Sequence, residues 1–105
     1  MIVARDRHTA STLNTGQILV TGGFGSSGII LNSAELYNPS TGVWTSASNM
    51  SFARAYHVAS ILSDGKVLVA GGEESPSPST ILNSAELYNP STGVWISTGN
   101  MNFAR

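Results

Sequence analysis

The chain has 105 residues, 10% of them charged, with a net charge of −1 and no cysteine. This low and balanced charge argues against nucleic acid or an anionic membrane as the main partner, because both require clustered Lys and Arg. Without cysteine there is no disulfide framework, thiolate metal site or thiol nucleophile, and the composition leaves the cellular compartment unknown.

The sequence consists of two copies of one unit. The segment ILNSAELYNPSTGVW occupies residues 30–44 and recurs letter for letter at 81–95. Corresponding residues are 49 positions apart before this segment and 51 apart within it, so the second copy carries two extra residues in a loop. A period of about 50 residues is typical of propeller or solenoid arrays. We therefore divide the chain into repeat 1 with its linker, 1–54, and repeat 2 with its linker, 55–105.

Each copy predicts four strands, because short apolar runs alternate with turn residues and no segment keeps a helical period. In chain order the predicted strands are 9–13, 17–21, 33–38 and 43–46, followed by 58–62, 66–70, 84–89 and 94–97. Gly and Asn-Pro-Ser-Thr-Gly turns join them as hairpins. Four antiparallel strands per repeat predict an all-β fold of two propeller blades.

Several residue types keep their place in both copies and are expected to hold the blades together. Double glycines that follow the second strand indicate a close backbone approach or a positive φ. A Trp of large area suits the seam between neighbouring sheets. A mid-strand Glu needs a hydrogen bond or an ion pair, for which a repeated Arg is the candidate. The set comprises Gly22, Gly23, Gly71, Gly72, Glu35, Glu86, Tyr37, Tyr88, Trp44 and Trp95.

This order of motifs resembles the kelch repeat. It reads ARDRHTASTLNTGQILVTGG and SAELYNPSTGVW, then NMSFARAYHVASILSDGKVLVAGG, SAELYNPSTGVW and NMNFAR, and it covers almost the whole chain. The resemblance implies a β-propeller of usually six or seven blades, with the first strand of each blade lining the channel. It also implies that partners bind on the loops after the double glycines and on the linkers, here 24–29, 73–80 and 48–54.

The loops and linkers supply the candidate partner-binding residues. On the loops these are Phe24, Ser26, Ser27, Glu73 and Glu74; on the linkers they are Arg5, Arg54 and Arg105. The three arginines have two interpretations. They could bind an acidic partner through bidentate contacts, or they could brace the corner between blades, which we favour.

Three patterns that could indicate chemistry do not carry it. Residues 23–28 match G-x-G-x-x-G, but a strand and a Pro turn follow where a dinucleotide site requires a helix. His8 and His57 each lack a second ligand at metal spacing and are expected to be structural. Glu73 and Glu74 are adjacent in a Pro-Ser-rich loop, where solvation is the usual state. We therefore predict no catalytic, cofactor-binding or metal site.

The leading functional hypothesis is a non-catalytic propeller module or fragment that serves as a protein-interaction scaffold. The alternatives are an enzyme, or a carbohydrate-binding propeller, with a site at the channel mouth. Two blades cannot close a ring, and residues 1–5 and 101–105 occupy the same phase of the repeat. Open apolar faces favour association, so we expect three chains to complete one six-bladed ring.

Overall fold

Two four-stranded antiparallel sheets follow one another along the chain, one for each repeat, in a computed structural model that describes residues 1–76 and 78–105. The strands are β1 (Thr9–Thr12), β2 (Ile18–Thr21), β3 (Ala34–Asn38), β4 (Val43–Ala47), β5 (Val58–Ile61), β6 (Val67–Ala70), β7 (Glu73–Pro76), β8 (Ser79–Ile81), β9 (Ala85–Asn89) and β10 (Val94–Ser97). Within these ranges no helix is long and apolar enough to cross a membrane.

Each four-stranded sheet is a meander whose strands follow chain order, except that β7 and β8 are inserted between β6 and β9 of the second sheet. The first sheet has the order β1-β2-β3-β4, and the second has the order β5-β6-β9-β10. Gly16 and Gly65 take positive φ in the first hairpin of each sheet, as their turns require. In the last hairpin Tyr37 lies directly opposite Trp44, and their ring centroids are 4.8 Å apart. The eight predicted blade strands are thus confirmed to within a residue or two at their ends.

The segment after the second double glycine differs from the sequence prediction. Residues 73–80 were expected to form a loop, but β7 and β8 pair there as a separate two-stranded sheet. In repeat 1 the shorter segment makes only isolated bridges, from Phe24 to Asp6 and to Ile30. The two extra residues of repeat 2 make this segment long enough for β7 and β8 to pair. Ser77, which belongs to this predicted binding loop, lies outside the described residues.

The main hydrophobic cluster lies between the two sheets, where β1 and β5 are in contact. Its buried members are Leu13, Leu19, Ala34 and Met50 from repeat 1 and Val67, Val69 and Tyr88 from repeat 2. We call this surface the inner seam. Each blade buries one face there and turns its other face outward, as expected for a unit that needs neighbours on both sides.

Candidate functional site

A buried ion pair fixes the corner between the two blades. Arg54, in the linker, reaches into repeat 2, where its Nη2 lies 2.9 Å from Oε2 of Glu86. Its Nη1 donates to the carbonyl oxygens of Gly71, at 3.0 Å, and Ser84, at 3.1 Å. The guanidinium and carboxylate are both removed from water, so each depends on the other for charge compensation.

The same arrangement occurs one repeat earlier. Arg5 Nη2 lies 2.8 Å from Oε2 of Glu35, and its Nη1 donates to the carbonyl oxygens of Gly22 and Ser33. The interaction between the mid-strand Glu and a repeated Arg is therefore confirmed in both repeats. Arg54 therefore braces the corner between the blades, the interpretation that we favoured. Arg5 makes the same contacts within repeat 1, and both arginine side chains are buried.

Each of these carboxylates also accepts hydrogen bonds from the linker backbone. Ser51 N and Phe52 N donate to the two oxygens of Glu86. Ile2 N and Val3 N donate in the same way to Glu35, at 2.6 and 3.1 Å. Burial raises the pKa of Glu35, but these amide donors and Arg5 outweigh it and hold the pKa below its ordinary value.

The linker is a two-sided joint. While its side chain enters repeat 2, the backbone of Arg54 stays bound to repeat 1. Its carbonyl oxygen accepts from Gly23 N at 2.9 Å, and its N–H donates to Leu31 O at 3.2 Å. Arg105 repeats only the backbone half of this joint on repeat 2, through Leu82 and Gly72. Within the described ranges its side chain makes no hydrogen bond.

The double glycines permit this close approach of the linker. Gly22 and Gly71 have φ of 65° and 68°. A Cβ on Gly22 would overlap the carbonyl oxygen of Arg54, and a Cβ on Gly71 would overlap that of Arg105. Both requirements that the sequence indicated, positive φ and a neighbouring backbone, are therefore met at the same positions.

A histidine joins the two blades by polar contacts beside the corner. His57 Nε2 lies 3.0 Å from Oγ1 of Thr9 and 2.9 Å from Oγ1 of Thr21, both in repeat 1. Burial lowers the pKa of His57 to about 4, assisted by the charges of Arg54 and His8. The imidazole is neutral at physiological pH and has a seam role. Among the described residues no three His, Cys, Asp or Glu side chains are grouped for a metal ion.

The tryptophans show which blade face is covered. Trp95 packs against the inner seam, and its Nε1 donates to the carbonyl oxygen of Ser48 in the preceding linker, at 2.9 Å. Trp44 occupies the same position in repeat 1, but no acceptor for its indole lies in residues 1–76 or 78–105. The expected seam position is thus filled by Trp95, whereas Trp44 lies on the outward face.

The loop face carries an aromatic cluster. The rings of Phe24 and Tyr56 meet edge to face with centroids 5.7 Å apart, and Arg7 Cζ lies 5.5 Å from the Tyr56 centroid. Tyr56 is 58% exposed. Arg7 and Tyr56 occupy equivalent positions, and both have left-handed backbones with φ of 56° and 57°. We call Phe24, Tyr56 and Arg7 the aromatic cluster.

The sequence identified only Phe24 of this cluster. Tyr56 and Arg7 were missed because, although each directly precedes the His of its copy, the two residues differ in type. Their common repeat position was the signal that could have found them. A shallow depression of about 260 Å³ lies beside Phe24 and is lined in part by Asp6 and Ser26.

The other predicted loop residues lie near this cluster without forming one site. Ser26 and Ser27 are exposed at a turn closed by the bond from Gly25 N to Ile29 O. Glu73 pairs with Ala55, the neighbour of Tyr56, so β7 starts beside the cluster. No helix follows residues 23–28; the chain passes from this turn to β3, as the rejection of a dinucleotide loop required.

A comparison with known protein families identifies the repeated unit. The kelch motif matches residues 5–51 and 54–102, nearly all of the chain. The chain belongs to the kelch-repeat family. A solved structure titled "Structure of YjhT" shares the fold with a TM-score of 0.82 and 22% sequence identity. The match covers 94% of this kelch chain but only 38% of that one. No curated protein matches the chain.

Proposed function

We propose that this kelch chain is a non-catalytic interaction scaffold that assembles with copies of itself into a closed propeller. The observation that carries the proposal is that each outward face repeats the residues of one side of the inner seam. Leu13 is 4% exposed in the seam, whereas its equivalent Leu62 is 36% exposed on the open face of repeat 2. The open face of repeat 1 presents Ile18 and Tyr37 where the seam buries Val67 and Tyr88.

These two open faces are complementary because the inner seam already joins the same two surfaces. Repeat 2 of one copy therefore offers repeat 1 of another the packing that repeat 1 offers repeat 2 within the chain. Trp44 would gain an acceptor from the carbonyl oxygen of Gly99, the equivalent of Ser48. Closed rings of identical two-blade chains contain even numbers of blades, and six blades from three chains fit the kelch architecture best.

Light scattering after size exclusion tests this assembly. The expected mass is three times the 11.0 kDa of one chain. Leu68→Asp places a charge on the open face of repeat 2 and should yield monomers, because an unpaired charge would be buried at the joint. Ser26→Asp adds the same charge on the loop face and should leave the trimer intact. A soluble monomer, dimer or tetramer of the unaltered chain would refute the trimer.

We assign partner binding to the aromatic cluster. Aromatic residues and Arg are enriched in protein interfaces, and Phe24, Tyr56 and Arg7 combine both types on an exposed surface. The second candidate is carbohydrate binding, favoured by the additional exposed ring of Tyr56. Titration with monosaccharides, followed by NMR, distinguishes them. Shifts confined to the aromatic cluster, and lost in Phe24→Ala, would support the sugar. A titration without shifts would remove the carbohydrate candidate.

A further inference from the structure

The linker between blades is present once inside the chain but would be present twice at a joint between copies. We propose that residues 101–105 of one copy and residues 1–5 of the next compete for a single slot, so that the chain restrains its own assembly. This inference rests on the self-assembly proposed above. It adds that closure requires one of the two segments to be released.

The inner joint shows that one five-residue segment fills the slot. Residues 50–54 bind repeat 1 through their backbone: Met50 N donates to Asn32 O, and Arg54 contacts Gly23 and Leu31. The same residues bind repeat 2 through the Arg54 guanidinium and two amide donors to Glu86. Both halves of the joint are therefore made by one stretch of chain.

At the open faces the two halves are made by different segments. Residues 1–5 make the side-chain half on repeat 1 through Glu35, Ser33 and Gly22. Residues 101–105 make the backbone half on repeat 2 through Asn83, Leu82 and Gly72. When these faces meet, both segments would have to occupy the same position, because each corresponds to residues 50–54 of the inner joint.

The slot has no room for both segments. Both oxygens of Glu35 already accept amide donors from residues 1–5, and Gly72 N is already bound to Arg105 O. The linker backbone approaches so closely that not even a Cβ fits on Gly71 beside Arg105. A second backbone cannot be inserted at this separation, so one segment must leave.

Residues 101–105 are the segment that leaves. They are held by three backbone hydrogen bonds, and Phe103 is 72% exposed. Residues 1–5 are held by six hydrogen bonds that include the buried ion pair of Arg5 with Glu35. Releasing residues 1–5 would leave the buried carboxylate of Glu35 without its ion-pair partner until Arg105 of the other copy reached it. Residues 1–5 then make both halves of the new joint.

Truncation provides the first test. Chains 1–100, 6–105, 6–100 and 1–105 are compared by light scattering over a dilution series, with circular dichroism as the check on folding. The concentration needed for assembly should be lower for chain 1–100 than for 1–105, by a factor of about ten or more, since three hydrogen bonds no longer have to be broken first. Chain 6–105 should still assemble, because Arg105 fills the slot. Chain 6–100 should remain monomeric.

A double-substitution cycle tests the same competition in chains of full length. Arg105→Ala alone should leave assembly unchanged, because its segment is the one released. Arg5→Ala alone should still assemble, with Arg105 of the neighbour pairing with Glu35. The combined variant should lose assembly. This dependence of Arg105 on the identity of residue 5 is not expected if Arg5 only stabilises its own blade.

The outcomes separate the two proposals. If 1–105 assembles and 1–100 assembles more weakly, both segments are needed at the joint and the competition is wrong, while self-assembly stands. Additive effects of the two arginine substitutions would overturn it equally. If neither 1–105 nor 1–100 assembles while both remain folded, the proposed self-assembly itself fails.

Discussion

The repeat 1 side of the inner seam and the open face of repeat 2 have the same residue types at the same blade positions, yet their side chains differ in burial. Leu19 is 1% exposed in the seam, whereas its equivalent Leu68 is only partly buried. Met50 is buried in the seam, and Met101 is partly exposed. For these two pairs, residue type and local strand geometry are therefore not enough for full burial, and the next blade supplies the rest of the cover.

The comparison also shows one polar difference. His57 meets the hydroxyls of Thr9 and Thr21 across the inner seam. The equivalent positions in repeat 2 are Val58 and Ala70, which offer no hydroxyl to a His8 from another copy. Joints within and between chains would thus share their ion pair and apolar packing but not this hydrogen-bonded histidine.

The largest expected effect comes from breaking the corner. Glu86→Ala leaves Arg54 buried and unpaired, so the free energy of unfolding should fall by about 3–5 kcal/mol. Glu35→Ala should cost less, about 1–3 kcal/mol, because within the described residues no backbone hydrogen bond holds Arg5, so its guanidinium can turn to water. Urea unfolding measures both. Equal losses would show that the two corners are equally rigid.

The next effect contrasts the apolar positions directly. Leu19→Ala should reduce the free energy of unfolding by about 2–5 kcal/mol, the range for truncating a buried leucine. Leu68→Ala should cost less than about 1.5 kcal/mol in a monomer, because its side chain is already partly hydrated. Raising the protein concentration sharpens the test. If copies assemble, the cost at Leu68 should approach the cost at Leu19.

Acid should weaken the inner seam through His57. The folded state lowers the pKa of His57 from 6.5 to about 4, so between these values the unfolded chain binds a proton that the folded chain does not. Stability should therefore fall as the pH falls from about 6.5 to about 4, by at most about 1.4 kcal/mol per pH unit. His57→Gln should flatten this dependence. A slope retained in that variant would assign it to other groups.

The smallest effect concerns the hydroxyls of the seam. Replacing Thr9 with Val and Thr21 with Ala copies the residues of repeat 2 into repeat 1. We expect a loss of about 1–2 kcal/mol, because His57 Nε2 would lose both partners in a buried site. The converse pair, Val58→Thr with Ala70→Thr, is the matched control and should leave the monomer unchanged. Thermal unfolding at neutral pH measures both.

The sequence predicted the features that recur in both copies. Blade strands, double glycines and the Glu–Arg interaction repeat with fixed spacing, and each repetition reports the same local requirement twice. The features it missed occur once or join distant residues. Phe24 and Tyr56 meet only because their loops converge, and the pairing of β7 with β8 depends on an insertion in one repeat. A periodic pattern carries no information about such contacts.

The two-sided linker has a consequence for how such chains grow. The corner between the blades is made by one five-residue segment that ends in Arg, and the apolar packing is made by one face of each blade. A duplicated repeat brings both with it and meets compatible surfaces on either side, so neither adjoining blade has to change. The fifteen residues shared by 30–44 and 81–95 fit a gene segment copied under these terms. Blade number in this architecture can therefore change by whole repeats, with the insertion loops free to diverge independently.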